Sequence, residues 1–157
     1  MKRIYRPLFL LLLAFLLILG AQARSVHAEM LSVNGNEINL RSGPGTKYRV
    51  VWELDQGFPL EVLKRTGDWY RVRDFEGTIG WIHRDAVGKT PHMIVKTNKK
   101  SRKQINIRSG PGDNYQVVAK AHYGVVLKTL EQKNGWVKVQ HEQGVTGWVK
   151  SNLLWGW

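Results

Sequence analysis

The feature that most constrains the fold of this chain is an internal repeat. Residues 38–45 (Ile-Asn-Leu-Arg-Ser-Gly-Pro-Gly) return at 105–112 with a single Leu-to-Ile change, a shift of 67 positions. The same shift aligns residues 38–87 with 105–154 over 50 positions without a gap, and 18 of these pairs are identical. A repeat of this length predicts two copies of one small fold, because each copy forms its own supersecondary unit.

Each copy has the pattern of an all-β unit. β-Branched and aromatic residues occur in short alternating runs, and no long stretch has a helical period. Clusters of Gly, Pro and Asp separate these runs and predict tight turns. In the first copy the predicted strands are residues 37–40, 49–54, 60–65, 69–73 and 79–83. Such a series of short strands suits a small closed barrel, which leaves few sheet edges exposed.

Two signatures connect the copies to a known family. The first copy carries Arg41-Ser42-Gly43-Pro44-Gly45 followed by Tyr48, and it ends with Gly80-Trp81. On these motifs each copy resembles the bacterial SH3-like (SH3b) domain, over residues 32–90 and 103–157. The resemblance implies an all-β chain of two tandem SH3-like small β-barrels, and we expect an N-terminal signal-peptide helix before them. It also implies a recognition module of cell-envelope proteins, many of which bind peptidoglycan or its peptide cross-bridges.

Residues 1–28 follow the three-part plan of a secretory signal peptide. A basic start precedes an apolar run at 8–19, and Val26-His27-Ala28 supplies small residues before a cut at Glu29; Ala21-Gln22-Ala23 is an alternative cut. The apolar run spans only ~18 Å as a helix, less than the ~30 Å hydrocarbon core. We therefore expect export to a periplasmic or extracytoplasmic location, with no stable membrane span after cleavage.

The composition removes several classes of function. Without cysteine there is no disulfide, lipid-modified N-terminal Cys, thiol nucleophile or Cys-ligated metal. The acids are dispersed through turns, so no paired carboxylates or Ser-His-Asp set is indicated. The histidines after the signal peptide show no metal-ligand spacing: they are His83, His92, His122 and His141. We expect a non-catalytic protein with no metal and no cofactor.

The positive charge is concentrated in one segment. The formal net charge is +12, and residues 29–157 hold 20 basic against 12 acidic residues. Residues 88–104 hold six of the basic residues and no acidic one. This run suits anionic envelope polymers, lipid headgroups or nucleic acid, or it is simply a solvated connector. Because the protein is exported, no nucleic acid is expected as a partner.

These boundaries divide the chain into four parts. We expect a signal peptide at 1–28, a first SH3-like domain at 29–90, a basic linker at 91–102 and a second SH3-like domain at 103–157. The apolar centre of the linker, Met93-Ile94-Val95, is able to add a strand to one barrel. The apolar ending, residues 153–157, is expected to dock on the second barrel or between the two.

Alternation along the strands divides side chains between the core and the outer face. In residues 69–73, Val72 shares the core face with Tyr70, while Trp69 and Arg71 face outward; Ile82 is likewise a core residue. The second copy repeats this division, with Val137, Val139 and Val149 in the core. The candidate ligand-binding residues are the aromatic side chains outside the predicted core and the cations beside them: Tyr48, Trp52, Trp69, Arg71, Trp81, Tyr115, Trp136, Lys138 and Trp148.

Two interpretations of these tryptophans are open, and both can hold for one ring. In the structural interpretation, Trp69 and Trp81 lie flat beneath the glycine-proline corner and Tyr48, and they complete a second small core. In the functional interpretation, their rims line a shallow groove for a peptide or glycan, with the neighbouring cations alongside. Because Trp52 becomes Ala119 in the second copy, the first copy has the richer aromatic surface and is favoured if only one copy binds.

The glycine-proline corner itself is interpreted as structural. Its glycines are expected to permit positive φ angles around the proline; the turn residues are Gly43, Pro44, Gly45, Gly110, Pro111 and Gly112. Arg41 and Arg108 end a strand beside each corner. For them we expect a backbone hydrogen bond or a surface ion pair rather than ligand contact.

Two functions from different classes follow from these observations. The favoured one is a non-catalytic binding module that recognises cell-wall material (peptidoglycan or peptide) or an envelope protein. The alternative is a structural adaptor that docks a periplasmic enzyme or transporter through its barrel surfaces. In the adaptor, Trp52 and the apolar C-terminus are interface residues.

Overall fold

The structure, a computed structural model, describes residues 28–157. The predicted signal peptide, residues 1–28, lies outside the described residues except for Ala28. From residue 28 onward, no helix combines the length and apolar character needed to cross a bilayer. The regular structure of this range consists of strands and two 3₁₀ turns, Arg84–Ala86 and Ser151–Leu153. The prediction of an all-β fold with two tandem copies of one small domain is confirmed.

The first domain contains seven strands: β1 (Met30–Val33), β2 (Ile38–Arg41), β3 (Val50–Leu54), β4 (Pro59–Thr66), β5 (Trp69–Arg73), β6 (Ile79–His83) and β7 (Val87–Gly88). They form one antiparallel sheet in the order β3-β2-β6-β5-β4-β1-β7. Five of these strands match the predicted ones. The other two, β1 and β7, pair with each other, with Val33 opposite Val87, so the two ends of the domain lie side by side.

The second domain repeats this arrangement with β8 (His92–Val95), β9 (Ile105–Arg108), β10 (Val117–Ala121), β11 (Val126–Lys133), β12 (Trp136–Gln140), β13 (Thr146–Lys150) and β14 (Leu154–Gly156). Its order, β10-β9-β13-β12-β11-β8-β14, corresponds strand by strand to the first sheet. The registers correspond as well, because Trp148 lies opposite Arg108 as Trp81 lies opposite Arg41. The sequence repeat is therefore a repeat of one topology.

The predicted linker at 91–102 differs from the structure. Strand β8 lies inside it and pairs with β11, with Met93 opposite Leu127. The side chains of Met93 and Val95 are buried in the second core, which explains why this apolar run does not remain a connector. The connection between the two sheets is thus residues 89–91, and the second domain begins near residue 92 rather than at 103.

Each domain has its own small core. Val72 and Ile82 are fully buried in the first domain, as the alternation predicts, while Trp69 is half-buried and Arg71 is exposed. In the second domain the predicted core residues are likewise buried: Val137, Val139 and Val149. The core clusters contain only eight and ten buried residues. Domains of this size have little surface to bury, so contacts between them matter for stability.

The glycine of each Gly-Trp pair is required by close packing. A Cβ on Gly80 would lie 2.4 Å from Leu40 Cγ, and one on Gly147 would lie 2.6 Å from Ile107 Cγ2. Carbon atoms prefer separations of about 3.5–4.0 Å. The buried side chain of β2 therefore packs directly on the backbone of β6 and allows the two strands to approach closely, and β9 and β13 make the same contact.

A cluster of aromatic and charged side chains joins the two domains. The Phe75 ring packs on Tyr123 with ring centroids 5.3 Å apart, and Phe58 packs edge-on against Phe75. The Glu76 carboxylate accepts hydrogen bonds from the Tyr123 hydroxyl and from Lys99 Nζ, the latter at 2.5 Å. These donors, Lys99 first, lower the pKa of Glu76. The Glu76 carboxylate of the first domain is thus bound by two side chains of the second domain, those of Lys99 and Tyr123.

The C-terminal strand contacts both domains. It pairs with β8, where Trp155 lies opposite Ile94. The Trp157 indole N–H donates to Ser32 Oγ at 3.3 Å, and Ser32 is buried in the first domain. The apolar ending therefore docks between the two barrels, which is one of the two expected placements.

We expect Gly80→Ala to destabilise the protein by about 1–3 kcal/mol, because the added methyl group overlaps Leu40 in a packed core. Leu40→Ala alone should cost about 2–5 kcal/mol through the cavity that it leaves. In the double variant the methyl group has room, so most of the cost of Gly80→Ala should disappear. Urea unfolding of the four proteins measures this coupling. Additive costs would show that Leu40 does not occupy the space beside Gly80.

The contact at Glu76 predicts that acid weakens the junction. The pKa of Glu76 is lowered below its usual 4.5 in the folded protein, so the stability that it contributes is present above that value and is lost as the pH falls through the lowered pKa. The wild type should therefore lose more unfolding free energy than Glu76→Gln between about pH 5 and pH 3. Glu142→Gln, a change at an exposed carboxylate, should follow the wild type. Identical acid profiles of the wild type and Glu76→Gln would contradict the expectation.

Candidate functional site

The glycine-proline corners are shaped by tyrosine rings. A Cβ on Gly43 would lie 2.4 Å from the Tyr48 ring, and one on Gly110 would lie 2.3 Å from the Tyr115 ring. In these two corners only Gly45 has a positive φ, and its value of 157° is close to extended backbone. Of the four corner glycines, Gly45 alone meets the expectation of a positive φ, and Gly43 and Gly110 are required for another reason. They leave room for the ring that packs on the corner.

The arginine beside each corner donates to the corner backbone. Arg41 Nη1 donates to the carbonyl oxygens of Thr46 at 3.0 Å and of Tyr48 at 2.9 Å. Arg108 Nη1 donates to the carbonyl oxygen of Tyr115 at 2.8 Å. The expected backbone hydrogen bonds are present, so both guanidinium groups have a structural task.

On the first domain, cross-strand pairing gathers candidate residues on the outer face. Trp81 lies between Arg41 on β2 and Arg71 on β5. Trp69 lies opposite His83, and their rings meet nearly perpendicularly with centroids 5.3 Å apart. Side chains directly opposite in antiparallel strands share a face. Trp69, Arg71 and Trp81 are thus brought together, as the functional interpretation requires.

The second domain keeps this arrangement but buries one member. Trp148 lies between Arg108 and Lys138 and is only 9% exposed. A ring with so little accessible surface can make few contacts with a ligand, which favours the structural interpretation for Trp148. Trp136 is half-buried, and Lys150 Nζ lies 5.6 Å from its ring centroid. The accessible aromatic surface of this face is therefore that of Trp136.

A groove of about 420 Å³ lies beside this ring. We call it the Trp136 groove; it is lined by Asn98, Gln104, Ile105, Asn106, Arg108, Asp113, Trp136, Lys150, Asn152 and Leu153. Lys150 Nζ donates to the Asp113 carboxylate at 2.7 Å, and Arg108 lies 3.9 Å from the same carboxylate. The groove thus has one aromatic wall, four amide side chains and a carboxylate that is paired with cations. Such a surface suits recognition, since amides both donate and accept hydrogen bonds.

Sequence reasoning identified Trp136 but missed most of this lining. Asn98 and Gln104 belong to the connection between β8 and β9, residues 96–104, most of which lies in the predicted linker at 91–102. The usable signal was length: this connection has nine residues, whereas its counterpart at 34–37 has four. Because both copies share one strand order, a loop that is longer in one copy gives that copy a surface that the other lacks.

The remaining candidates lie elsewhere. Trp52 is on the edge strand β3 and is 60% exposed, and Val50 rather than Trp52 lies opposite Arg41. Tyr48 and Tyr115 are partly exposed at their corners. Over residues 28–157, no group of three or more His, Asp or Glu side chains is placed to hold a metal ion. The nine candidates are thus divided between two equivalent outer faces, two corners and one sheet edge.

Comparison with known proteins agrees with this architecture. The family described as "Bacterial SH3 domain" matches residues 34–89 and 101–156. Over 125 residues the chain is 30% identical to "Putative N-acetylmuramoyl-L-alanine amidase YrvJ" of Bacillus subtilis (strain 168). That match covers 76% of this chain and 24% of the relative, so the chain spans about a quarter of the relative's length.

Solved structures show weaker similarity. NlpC2 and NlpC1 from Trichomonas vaginalis each align over 84% of this chain with a TM-score of 0.35, at 14% and 15% identity and over 49% and 48% of their own chains. An NlpC/P60 family protein from Bacillus cereus ATCC 10987 aligns over 81% of this chain and 56% of its own, with a TM-score of 0.37 and 13% identity. The chain spans about half the length of these proteins.

The family match covers both repeats and the residues that carry their signatures. Residues 34–89 contain the first corner with its tyrosine and the first Gly-Trp pair, and residues 101–156 contain the second set. The packing of a ring or a core side chain against each signature glycine gives both motifs a physical reason. The chain belongs to the bacterial SH3 domain family and contains two tandem copies of the domain.

Proposed function

We propose that this protein is an exported, non-catalytic binding protein that holds cell-wall material, peptidoglycan or its peptides, in the Trp136 groove. The observation that carries the proposal is the groove itself, which combines an aromatic wall with four amides and a charge cluster. A wall ligand is supported by the relative from Bacillus subtilis, whose name describes an amidase of N-acetylmuramoyl-L-alanine, a unit of peptidoglycan. The signal-peptide pattern of residues 1–28 supports a periplasmic or extracytoplasmic location.

The lining of the groove fits a glycan or a short peptide. The face of an indole ring packs against the C–H face of a sugar or against an apolar side chain. The amides of Asn106 and Asn152 supply paired donors and acceptors for hydroxyl or peptide groups. A volume of about 420 Å³ accommodates a ligand of a few rings or residues. Affinity then depends mainly on the aromatic contact, because the polar groups exchange bonds with water.

A specific observation also supports the alternative function, a structural adaptor for an envelope enzyme or transporter. Trp52 is the most exposed large apolar side chain described, and it lies on β3, which pairs only with β2 within the described sheet. An edge strand with an exposed aromatic side chain can receive an extended segment of another protein. This surface is separate from the Trp136 groove, so substitutions at Trp52 and at Trp136 test the two functions independently.

Trp136→Ala should lower the affinity of the exported form (residues 29–157) for purified sacculi by at least about tenfold, since a lost central aromatic contact typically costs 1–2 kcal/mol or more. The richer aromatic surface of the first domain favours that copy, but its short connection at 34–37 provides no counterpart of the groove wall. Trp69→Ala, at the equivalent position of the first domain, is therefore the matched control, and we expect it to bind nearly as the wild type does. Cosedimentation over a range of sacculus concentrations gives the affinities, and the Tm of each variant identifies unfolding. Equal losses in both variants, or no loss in a folded Trp136→Ala, would contradict the assignment of the groove.

Trp52→Ala should leave the binding of sacculi unchanged, because this side chain lies outside the groove. If the protein is an adaptor instead, a stoichiometric envelope protein should co-purify with the wild type and be lost with Trp52→Ala. Leu130→Ala, which removes another exposed apolar side chain in the second domain, is the control for that comparison. Retention of such a protein together with no affinity for bare sacculi would replace the first proposal by the second.

A further inference from the structure

The connection between β8 and β9 differs from its counterpart in charge as well as in length. We call residues 96–104 the basic loop; it carries five cations and no acid, namely Lys96, Lys99, Lys100, Arg102 and Lys103. The counterpart at 34–37 carries one acid, Glu37, and no cation. Residues 29–157 hold 20 basic and 12 acidic residues, so the basic loop accounts for most of the net charge of the exported form.

The basic loop is folded against the second domain. The Lys96 amide donates to the Leu153 carbonyl oxygen at 3.0 Å, and the Arg102 amide donates to the Asn98 carbonyl oxygen at 2.9 Å. Asn98 and Arg102 both adopt left-handed backbone, with φ of 68° and 53°. The first hydrogen bond ties the start of the loop to the turn before the C-terminal strand, and the second closes a turn within the loop. The cations are therefore presented from a hydrogen-bonded turn.

Most of the loop charge is uncompensated. Lys99 pairs with Glu76 of the first domain, and this is the one ion pair among residues 28–157 that uses a cation of the basic loop. The other four cations are exposed and close together in the chain: Lys96, Lys100, Arg102 and Lys103. Like charges held close together repel one another, so an anion that binds among them is stabilised.

The basic loop and the Trp136 groove share a wall. Asn98 and Gln104 belong to the loop and also line the groove. Within the groove, the Asp113 carboxylate is already paired with Lys150 and does not repel an anion strongly. Lys100, Arg102 and Lys103 lie in the chain between these two lining residues, so we expect a ligand that extends across this wall to meet their charge.

We propose that the basic loop is a phosphate-binding subsite that extends the Trp136 groove, and that its ligand is a wall polymer with repeating phosphodiester groups. The inference rests on the proposed function, since it assumes that the wall is the ligand of the groove. A single carboxylate of a glycan would occupy one or two cations, whereas four cations within eight residues match an anion that recurs along a polymer. The guanidinium of Arg102 suits a phosphate through paired N–H bonds, and the lysines act as point charges.

The experiment compares two preparations of purified sacculi from a bacterium whose wall carries phosphodiester-linked polymers. One preparation is untreated, and the other is stripped of these polymers with hydrofluoric acid, which cleaves phosphodiesters and leaves the glycan and peptides. The exported form should bind untreated sacculi at least about tenfold more tightly at ~150 mM salt, and this preference should fall steeply as salt is raised. Inorganic polyphosphate should compete for the difference.

Two variants with the same change in charge test the location. The loop variant is Lys96→Gln/Lys100→Gln/Arg102→Gln/Lys103→Gln. The control variant changes exposed cations outside the loop and outside the ion pairs described: Arg49→Gln/Lys64→Gln/Lys120→Gln/Lys133→Gln. The loop variant should bind both preparations equally, at the level of the wild type on stripped sacculi, while the control variant keeps the preference. All eight positions are exposed, and urea unfolding verifies that both variants remain folded.

The outcomes separate this inference from the proposed function. Equal binding of the wild type to both preparations would overturn the phosphate subsite and leave the Trp136 groove as a wall-binding site. If Trp136→Ala binds stripped sacculi as tightly as the wild type does and keeps the preference for untreated sacculi, the basic loop is supported and the groove is overturned. An equal loss in the control variant would overturn the subsite in favour of net charge alone. Stronger competition by duplex DNA than by polyphosphate would overturn the assignment to a wall polymer.

Discussion

The packing of each domain depends on a side chain that occupies the space beside a glycine on a neighbouring strand. Leu40 packs against Gly80 in the first domain, and Ile107 packs against Gly147 in the second. Because side chains alternate along a strand, these inward contacts also determine what faces outward. The residue after Leu40 is Arg41 and the residue after Gly80 is Trp81, and the two lie opposite each other on the outer face. The aromatic and cationic surface is thus a consequence of the inward packing of Leu40 against Gly80.

The two domains use this common frame differently. In the second domain the longer connection between β8 and β9 adds Asn98 and Gln104 to the surface beside Trp136. The strands hold the indole ring and Lys150 in place, while the loop supplies amides and positive charge. A rigid sheet that positions a variable loop is a common way to build a binding site without changing the core. The first domain, with a connection of four residues, has no equivalent of this wall.

Lys99 belongs to the basic loop and also to the junction between the domains. Its ammonium group donates to Glu76 and lies 5.4 Å from the centroid of the Tyr123 ring. The loop is therefore attached to the first domain at one point while its other cations remain free. The C-terminal strand provides a second connection through Trp157 and Ser32. Without disulfides, contacts of this kind compensate for two very small cores.

Most of the fold and a smaller part of the candidate site were predictable from the sequence. The repeat, the five central strands and the core face of β5 and β12 are visible in the sequence, because alternation and turn-forming residues act over short distances. The sequence by itself therefore determined two copies of one all-β unit and which side of β5 and β12 is buried. Only the tertiary structure decided that β8 leaves the predicted linker, that Trp148 is buried while Trp136 is accessible, and that the corner glycines make room for tyrosine rings. Each of these depends on which distant segments pack together, and the alternation of a single strand carries no information about its partner across the sheet.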